Sequence, residues 1–230
     1  MIEENWTRLK EDVSRVCRQV GRDPNDIIIV GATKYADANQ IRTAVKAGMR
    51  HIGENRVQDA REKFRVLSSE LAEVRKHMIG HLQSNKVKLA VELFDSIDSA
   101  DSFKLVQAIE RCSGSAGKIM DVFIQVNTSG EEQKSGIPAQ DAEALIEQCK
   151  DFSNIRIVGL MTVGPLTEDQ DQVRVCFREL RKIFASASDH LSTQKNLDLQ
   201  YLSMGMTHDY PLAIEEGANL IRIGSAIFKS

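Results

Sequence analysis

The sequence predicts an α/β protein, a single-domain (β/α)8 TIM barrel with an extra helix at its N-terminus. Eight short apolar runs alternate with helix-like segments, mostly about 20 to 30 residues per unit. No linker and no shift of composition interrupts them, so residues 1–230 are predicted to form one domain. An open doubly wound sheet is the rival architecture. Its nucleotide-binding form is disfavoured because no GxGxxG motif follows the first strand.

The predicted strands are short, mostly apolar runs that turn residues separate. They lie at residues 27–34, 51–53, 77–80, 93–97, 121–126, 155–161, 199–203 and 220–224. The first run has four β-branched residues in succession, followed by Gly31 and Ala32. Such a run is typical of a strand buried on both faces of a parallel sheet.

The predicted helices combine apolar spacing of three or four residues with capping residues and terminating glycines. The extra N-terminal helix covers residues 5–20 and is expected to pack on the outside or the bottom of the barrel. Asp37 or Asn39 caps the next helix, and a third runs to about Leu71. The others lie at about 85–91, 101–112, 138–150, 169–187 and 209–216.

Composition excludes several classes of function. The net charge of -3 gives no general attraction to nucleic acid. The four cysteines are widely spaced and form no CxxC pair, which favours reduced thiols in a cytoplasmic protein over a disulfide frame or a zinc site. The first residues lack the apolar segment of a signal peptide, and no apolar run approaches the roughly 20 residues of a membrane span.

Catalytic and binding residues of a barrel lie at the C-terminal ends of its strands, which directs attention to Lys34. We expect its amine at the mouth of the sheet, next to largely apolar surroundings. Desolvation there favours the neutral amine, which is the form that condenses with an aldehyde. The alternative is an ordinary strand-end lysine in water, or a counter-charge for a bound phosphate compound.

The ends of the seventh and eighth strands carry the parts of an anion site. Residues 204–207 offer backbone N–H groups and the Thr207 hydroxyl, while Gly224 and Ser225 offer close backbone approach and a second hydroxyl. Barrels often hold a phosphate at this position. Residues 204–207 alone, or Gly224 and Ser225 alone, could be a turn followed by a helix cap. The two segments together, facing Lys34, favour a binding site.

Two further patterns carry less weight. His77 and His81 are four residues apart, but Gly80 lies between them in a strand-then-loop segment, so a metal site is disfavoured and none is predicted. The basic residues around this segment are expected to form a solvated face rather than a nucleic-acid site; they are Arg75, Lys76, Lys86 and Lys88.

The sequence resembles the pyridoxal-phosphate-binding homeostasis protein family, whose fold is similar to the barrel domain of alanine racemase. The run from Gly80 to Lys86, Gly-His-Leu-Gln-Ser-Asn-Lys, is its most specific motif. The other matching segments are residues 32–34, 52–59, 77–79, 160–161, 202–209 and 222–228. The chain departs from the family at the rim of the site, where Arg56, Lys76 and His208 replace the usual residues.

The resemblance implies that pyridoxal 5'-phosphate (PLP) is the cofactor and that Lys34 holds it as a Schiff base, the internal aldimine. It also implies that Arg222 lies at the pyridine nitrogen and that Asn55 lies near the ring. Thr207, Gly224 and Ser225 would then bind the phosphate. The predicted function is intracellular PLP homeostasis, meaning buffering or delivery of the cofactor, with PLP-dependent apo-enzymes as possible recipients.

A PLP-dependent amino-acid racemase is the main alternative, and a barrel that binds another phosphate compound is a third reading. An arginine at the pyridine nitrogen weakens the ring as an electron sink, which favours a carrier without robust catalysis. Racemases of this fold receive a second acid/base, a tyrosine, from another domain of a neighbouring subunit. Here Tyr201 is read as core, and only Tyr35 or Tyr210 could stand near the cofactor. With no room for a second domain, the chain is expected to be a monomer.

Overall fold

The computed structural model describes residues 1–131 and 133–229. The strands within these ranges are β1 Ile28–Ala32, β2 His51–Glu54, β3 Arg75–Met78, β4 Ser96–Ala100, β5 Met120–Asn127, β6 Ile137–Pro138, β7 Ile155–Met161, β8 Leu197–Ser203 and β9 Leu220–Ile223. The helices are α1 Ile2–Gln19, α2 Ala38–Lys46, α3 Val57–Val66, α4 Val87–Leu93, α5 Phe103–Ser115, α6 Ala142–Gln148, α7 Gln170–His190, α8 Tyr210–Glu215 and α9 Ser225–Phe228.

Eight of these strands close into a parallel barrel, which confirms the predicted fold class. The order is β4-β3-β2-β1-β9-β8-β7-β5, and pairing of β4 with β5 closes the sheet. The short β6 pairs with β5 outside this ring. We call the end where the barrel strands begin the floor and the end where they finish the mouth.

Helix α1 lies outside the barrel, where it packs against α2, α8 and α9. Its buried residues recur at helical spacing, with Trp6, Leu9, Val13 and Val16 facing the protein. The Asn5 side chain also donates a hydrogen bond to the carbonyl of Ile227 at 3.2 Å. The prediction of an outer N-terminal helix is therefore correct.

Two predicted strands are displaced in the structure. The fourth covers Ser96–Ala100 rather than 93–97, because Leu93 ends α4 and Phe94 is a buried cap residue behind it. The strand itself is Ser-Ile-Asp-Ser-Ala, whose polar residues gave no apolar signal. The third strand is Arg75–Met78 rather than 77–80, since the charged Arg75 and Lys76 pair with β2.

Two helical boundaries also differ from the prediction, and the choice between two caps at the second helix is resolved. Helix α3 ends at Val66, well before Leu71. Pro138 belongs to β6 and precedes a short 3-10 turn, so α6 begins only at Ala142. At the second helix, Asp37 is the cap: it accepts from the Gln40 N–H, and the Gln40 side chain accepts from the Asp37 N–H.

The apolar core has two parts. The larger part lies between the strands and the surrounding helices. A smaller cluster contains Val30, Phe123, Val158, Met161 and Leu220. Because its members come from strands on opposite sides of the ring, this cluster fills the barrel interior. No helix of the described residues is both long and apolar enough to cross a membrane.

Candidate functional site

The barrel mouth brings together the chain segments that contain the predicted site residues. β1 pairs with β2 on one side, with Ala32 opposite Gly53, and with β9 on the other, with Gly31 opposite Ile223. Lys34 therefore leaves the sheet between the segment that contains Asn55 and the segment that contains Gly224 and Ser225. Thr207 follows β8, the next strand in the ring.

Two hydroxyl groups meet at the ends of β8 and β9. Ser225 Oγ donates a hydrogen bond to Thr207 Oγ1 at 3.1 Å, so both lie within reach of one bound group. The turn before Thr207 depends on Gly205, whose φ of +96° favours glycine. A Cβ atom at this glycine would also lie 2.6 Å from the Cβ of Ala213. The two hydroxyl groups predicted for the anion site therefore lie side by side.

The backbone part of that site is smaller than the sequence suggested. The N–H of Met204 donates to the carbonyl of Leu220 at 3.1 Å. The N–H of Met206 donates to Asp209 Oδ1 at 2.5 Å. Both groups are thus occupied within the protein, and the expectation that residues 204–207 offer a row of free N–H groups is wrong for these two.

Arg222 lies inside the mouth and is only 5% exposed. Its Nη1 donates to the carbonyl and the hydroxyl of Ser203 at 2.9 and 2.6 Å, and its Nη2 donates to the carbonyl of Thr162 at 2.7 Å. Burial lowers the pKa of Arg222 to about 10, against the opposing effects of Asp98 and Asp209. Since that pKa is well above 7, the guanidinium is cationic at neutral pH.

The partners of Arg222 leave its charge uncompensated by direct contact. Among the described residues, it forms no ion pair with a carboxylate. Neutral oxygens hold the guanidinium plane in one orientation, and its charge remains available to a ligand at the mouth.

Lys34 is exposed, which corrects the expectation of apolar surroundings. The chain makes a turn directly after the buried Thr33, and the Lys34 side chain is exposed to solvent. Its amine lies over the ring of Tyr35, 4.9 Å from the centroid, and Tyr35 itself is 83% exposed. The amine is therefore accessible to a small molecule that enters the mouth.

A buried hydrogen-bond network fixes the backbone immediately before Lys34. Glu54 Oε1 accepts from the Thr33 hydroxyl at 2.6 Å and from Lys63 Nζ at 2.7 Å. The same amine donates to the carbonyl of Thr33 at 2.7 Å. Glu54 is completely buried, and its other carboxylate oxygen has no hydrogen-bond partner among the described residues. This role of Glu54 and Lys63 was not predicted, because Lys63 is one of several charges on α3.

Asn55 is half-buried beside Gly80. A Cβ atom on Gly80 would lie 2.3 Å from the Asn55 carbonyl oxygen, so the two backbones touch directly. The N–H of Ile79 also donates to the carbonyl of Glu54 at 3.0 Å. These contacts hold the ends of β2 and β3 together and explain why the motif begins with glycine.

The histidines singled out by their spacing have different partners. His77 Nδ1 lies 3.0 Å from Asp98 Oδ2, and His77 Nε2 lies 3.0 Å from His51 Nδ1 inside the barrel. His81 is exposed, with Asp101 at 3.5 Å. Of the four basic residues, Arg75 pairs with Asp121 and Lys76 pairs with Asp95. The solvated face expected for this group stays a prediction.

The three tyrosines also differ in position. Tyr201 stacks on Phe123 inside the barrel, with 5.9 Å between ring centroids, as a core residue would. Tyr210 faces α1: burial raises the pKa of its hydroxyl, and Asp12 and Arg15 of that helix act on it. The Tyr210 hydroxyl therefore lies near α1, the helix that packs outside the barrel.

Comparison with known proteins agrees with this geometry. A family model described as alanine racemase, N-terminal domain, matches residues 5–230. The pyridoxal phosphate homeostasis protein of Aquifex aeolicus is 36% identical over 225 residues, which cover 98% of this chain and 96% of that protein. Its counterpart in Pseudomonas aeruginosa is 34% identical over 229 residues, which cover 99% of this chain and 94% of that protein.

Solved structures give the same result. PipY of Synechococcus elongatus PCC7942, with PLP bound, has a TM-score of 0.86 at 33% identity, covering 99% of this chain and all (100%) of PipY. Alanine racemase of Clostridium difficile 630 has a TM-score of 0.75 at 14% identity, covering 97% of this chain and 56% of the racemase. The latter likeness concerns the fold alone.

The closed parallel barrel, with a lysine after its first strand, thus defines a protein of the alanine racemase N-terminal class. Within that class the chain belongs to the pyridoxal phosphate homeostasis protein family.

Proposed function

We propose that this protein binds PLP at the barrel mouth and takes part in its intracellular homeostasis by buffering or delivering it, without robust catalysis. The observation that carries the proposal is the convergence of Lys34, Arg222 and the Thr207–Ser225 hydroxyl pair at one end of the barrel. The naming of the curated relatives and the PLP-bound structure of PipY support it.

The side chains fit the groups of this cofactor. PLP supplies an aldehyde that condenses with a primary amine, and the accessible Lys34 amine is suited to hold it covalently. Thr207 and Ser225 would donate hydrogen bonds to the phosphate, with Gly224 allowing close approach of the backbone. Arg222 would donate to the pyridine nitrogen, and Asn55 would lie beside the ring.

Two features favour a PLP carrier over an amino-acid racemase. Arg222 stays protonated at neutral pH and would therefore keep the pyridine nitrogen of bound PLP unprotonated, which would limit stabilisation of a carbanion. Racemisation also needs a second acid/base on the far face of the substrate, within about 3 Å of its target. Tyr35 is almost fully exposed and Tyr210 faces α1, so neither is held in that position.

Covalent binding is tested with the purified protein and its Lys34→Ala variant. After incubation with PLP and reduction with borohydride, wild type should carry one added mass that peptide mapping locates to Lys34. The variant should carry none there, while the exposed-lysine control Lys88→Ala should behave as wild type. A wild-type protein without a reducible adduct, or one modified equally in Lys34→Ala, would refute the assignment.

The phosphate assignment is tested by comparing PLP with pyridoxal. Charge-assisted hydrogen bonds contribute roughly 1.5–3 kcal/mol each, so pyridoxal should bind at least about tenfold more weakly. The variant Thr207→Val/Ser225→Ala should remove most of this difference. Equal affinity for the two compounds in wild type would mean that the phosphate site is elsewhere.

Carrier and enzyme are distinguished by assays in deuterated water. We expect transfer of PLP to an added PLP-dependent apo-enzyme, together with negligible deuterium incorporation at the α-carbon of common amino acids. Incorporation at about 1 s⁻¹ or faster would instead support a racemase.

The four cysteines are free thiols, which supports a reducing, cytoplasmic setting. We expect the protein to be a monomer in size-exclusion chromatography.

A further inference from the structure

A cavity opens at the barrel mouth, between the ends of β2 and β3. Its volume is about 440 Å³, which lies within the usual range for small-molecule sites. The buried apolar residues Val57, Met78 and Leu82 lie at its base. The polar lining consists of Asn55, Arg56, Gln58, His81, Gln83 and Lys86. Of the residues assigned above to PLP, only Asn55 borders this cavity, so the rest of its lining is distinct from the proposed PLP site.

The cavity has a cationic wall without counter-charges. No aspartate or glutamate lines it. Within residues 1–131 and 133–229, neither Arg56 nor Lys86 forms an ion pair or a side-chain hydrogen bond with another residue. His81 is the third basic residue, and its nearest acid, Asp101 at 3.5 Å, lies outside the lining. Two cations and three side-chain amides therefore surround the same space.

The start of α3 adds a second, independent feature. Arg56 is the N-cap residue of this ten-residue helix, with φ −134° and ψ 128°, and no side chain accepts a hydrogen bond from the first-turn N–H groups. A helix N-terminus carries partial positive charge, so a cationic cap without an acceptor is electrostatically unfavourable. The first turn of α3 contains one acidic residue, Asp59, but this residue does not line the cavity. An anion bound beside Arg56 would satisfy these donors and offset the repulsion.

We propose that this cavity is a binding site for a small organic oxyanion, a carboxylate or a phosphate ester. The charged head would lie against Arg56, Lys86 and the start of α3, where charge-assisted hydrogen bonds are strongest. The remainder of the molecule would contact Val57, Met78 and Leu82, and the amides of Gln58 and Gln83 would orient it. This site lies beyond the proposed PLP function and does not depend on it.

The test is isothermal titration with inorganic phosphate and with acetate. It uses the Thr207→Val/Ser225→Ala background, in which the hydroxyl pair no longer competes for the probe. At least one probe should bind, and adding Arg56→Gln/Lys86→Gln should weaken its binding about tenfold or more. The matched control Lys88→Gln changes an exposed lysine of α4 outside the lining and should alter affinity less than about twofold. The stronger probe indicates whether the natural ligand is a phosphate ester or a carboxylate.

The location is checked by soaking wild-type crystals in phosphate, with density expected between Arg56 and Lys86. Binding of neither probe, or equal affinity with and without Arg56 and Lys86, would overturn the proposal. The charge-conserving pair Arg56→Lys/Lys86→Arg should restore part of the affinity, and failure to do so would also count against it. The Arg56→Gln/Lys86→Gln protein should still form the borohydride-reducible adduct at Lys34, so failure of this site is distinguishable from failure of PLP binding.

Discussion

The two ends of the barrel interior hold their arginines in different ways. At the floor, Asp121 accepts hydrogen bonds from both Arg75 and Arg156 and is 6% exposed. At the mouth, Arg222 is as buried as Asp121, with 5% of its surface exposed. It donates only to the oxygens of Ser203 and Thr162. The floor thus has two cations around one anion, whereas the mouth has one cation among neutral dipoles.

This difference indicates that the charged groups at the floor stabilise the fold, whereas the charge at the mouth serves to bind a ligand. A carboxylate with two guanidinium partners is satisfied within the protein and stabilises the fold. A guanidinium that is buried among neutral groups loses hydration without gaining a counter-ion, so its burial is unfavourable until an anionic or electron-rich ligand arrives. The lowered pKa of Arg222 has this cause. The mouth is therefore the end of the barrel where we expect a ligand to increase stability.

The largest expected effect is at the floor. Asp121→Asn leaves two adjacent guanidinium groups without their anion and should reduce the free energy of unfolding by about 2 kcal/mol, a value kept low because both arginines are partly solvated. Arg222→Met should change it by less than about 1 kcal/mol. In that variant the lost hydrogen bonds to Ser203 and Thr162 are offset by release of a buried charge.

Urea unfolding of both variants checks this comparison. Both should keep the far-UV circular dichroism of wild type. If Arg222→Met were the more destabilising of the two, the distinction between a structural floor and a binding mouth would be wrong. PLP should also raise the unfolding midpoint of wild type more than that of Arg222→Met.

The second effect is a pH dependence that originates near the floor. Burial lowers the pKa of His51 to about 4, with His77 and Arg75 lowering it further and Asp98 opposing them. The unfolded residue titrates near pH 6.5, so between about pH 6.5 and 4 the unfolded chain binds a proton that the folded chain does not. Stability should therefore fall as the pH falls through this range, by about 2 kcal/mol between pH 7 and pH 5.

The control is His51→Gln, in which this contribution is absent. The loss of unfolding free energy between pH 7 and pH 5 should be smaller in the variant than in wild type, whatever its stability at pH 7. Identical slopes for the two proteins would show that His51 is not the group responsible.

The sequence predicted the barrel because the apolar, β-branched strands and the capped helices repeat in strict alternation. The sequence prediction misplaced β4, which consists of Ser96, Asp98, Ser99 and two apolar residues. Polar residues in succession are typical of a loop, and the sequence does not show that these are buried inside a barrel. For the same reason it gave no sign of the pairing between His77 and Asp98, or of the contact between Asp121 and Arg75. These partners are far apart in sequence and meet only when the sheet closes.

The candidate site was predicted in part. Lys34, Thr207 and Ser225 follow strands and Arg222 lies near the end of β9, so the barrel rule was enough to gather them. The exposure of Lys34 could not be predicted, since it depends on how the chain turns after Thr33. Nor could the Glu54–Lys63 contact, because nothing in the spacing distinguishes Lys63 from the other charged residues of α3.

The smallest expected effect on stability is at Lys34, and it contrasts with that of a second lysine nearby. Lys34 is exposed and contacts only the Tyr35 ring among the interactions described, so Lys34→Ala should change the free energy of unfolding by less than about 0.5 kcal/mol. Lys63→Met removes the cation from the buried Glu54 and a donor from the Thr33 carbonyl, and should cost about 1 to 2 kcal/mol. Urea unfolding of the two variants without PLP measures the difference. A loss above about 1 kcal/mol in Lys34→Ala would assign Lys34 a structural role and undermine its interpretation as a residue held free for a ligand.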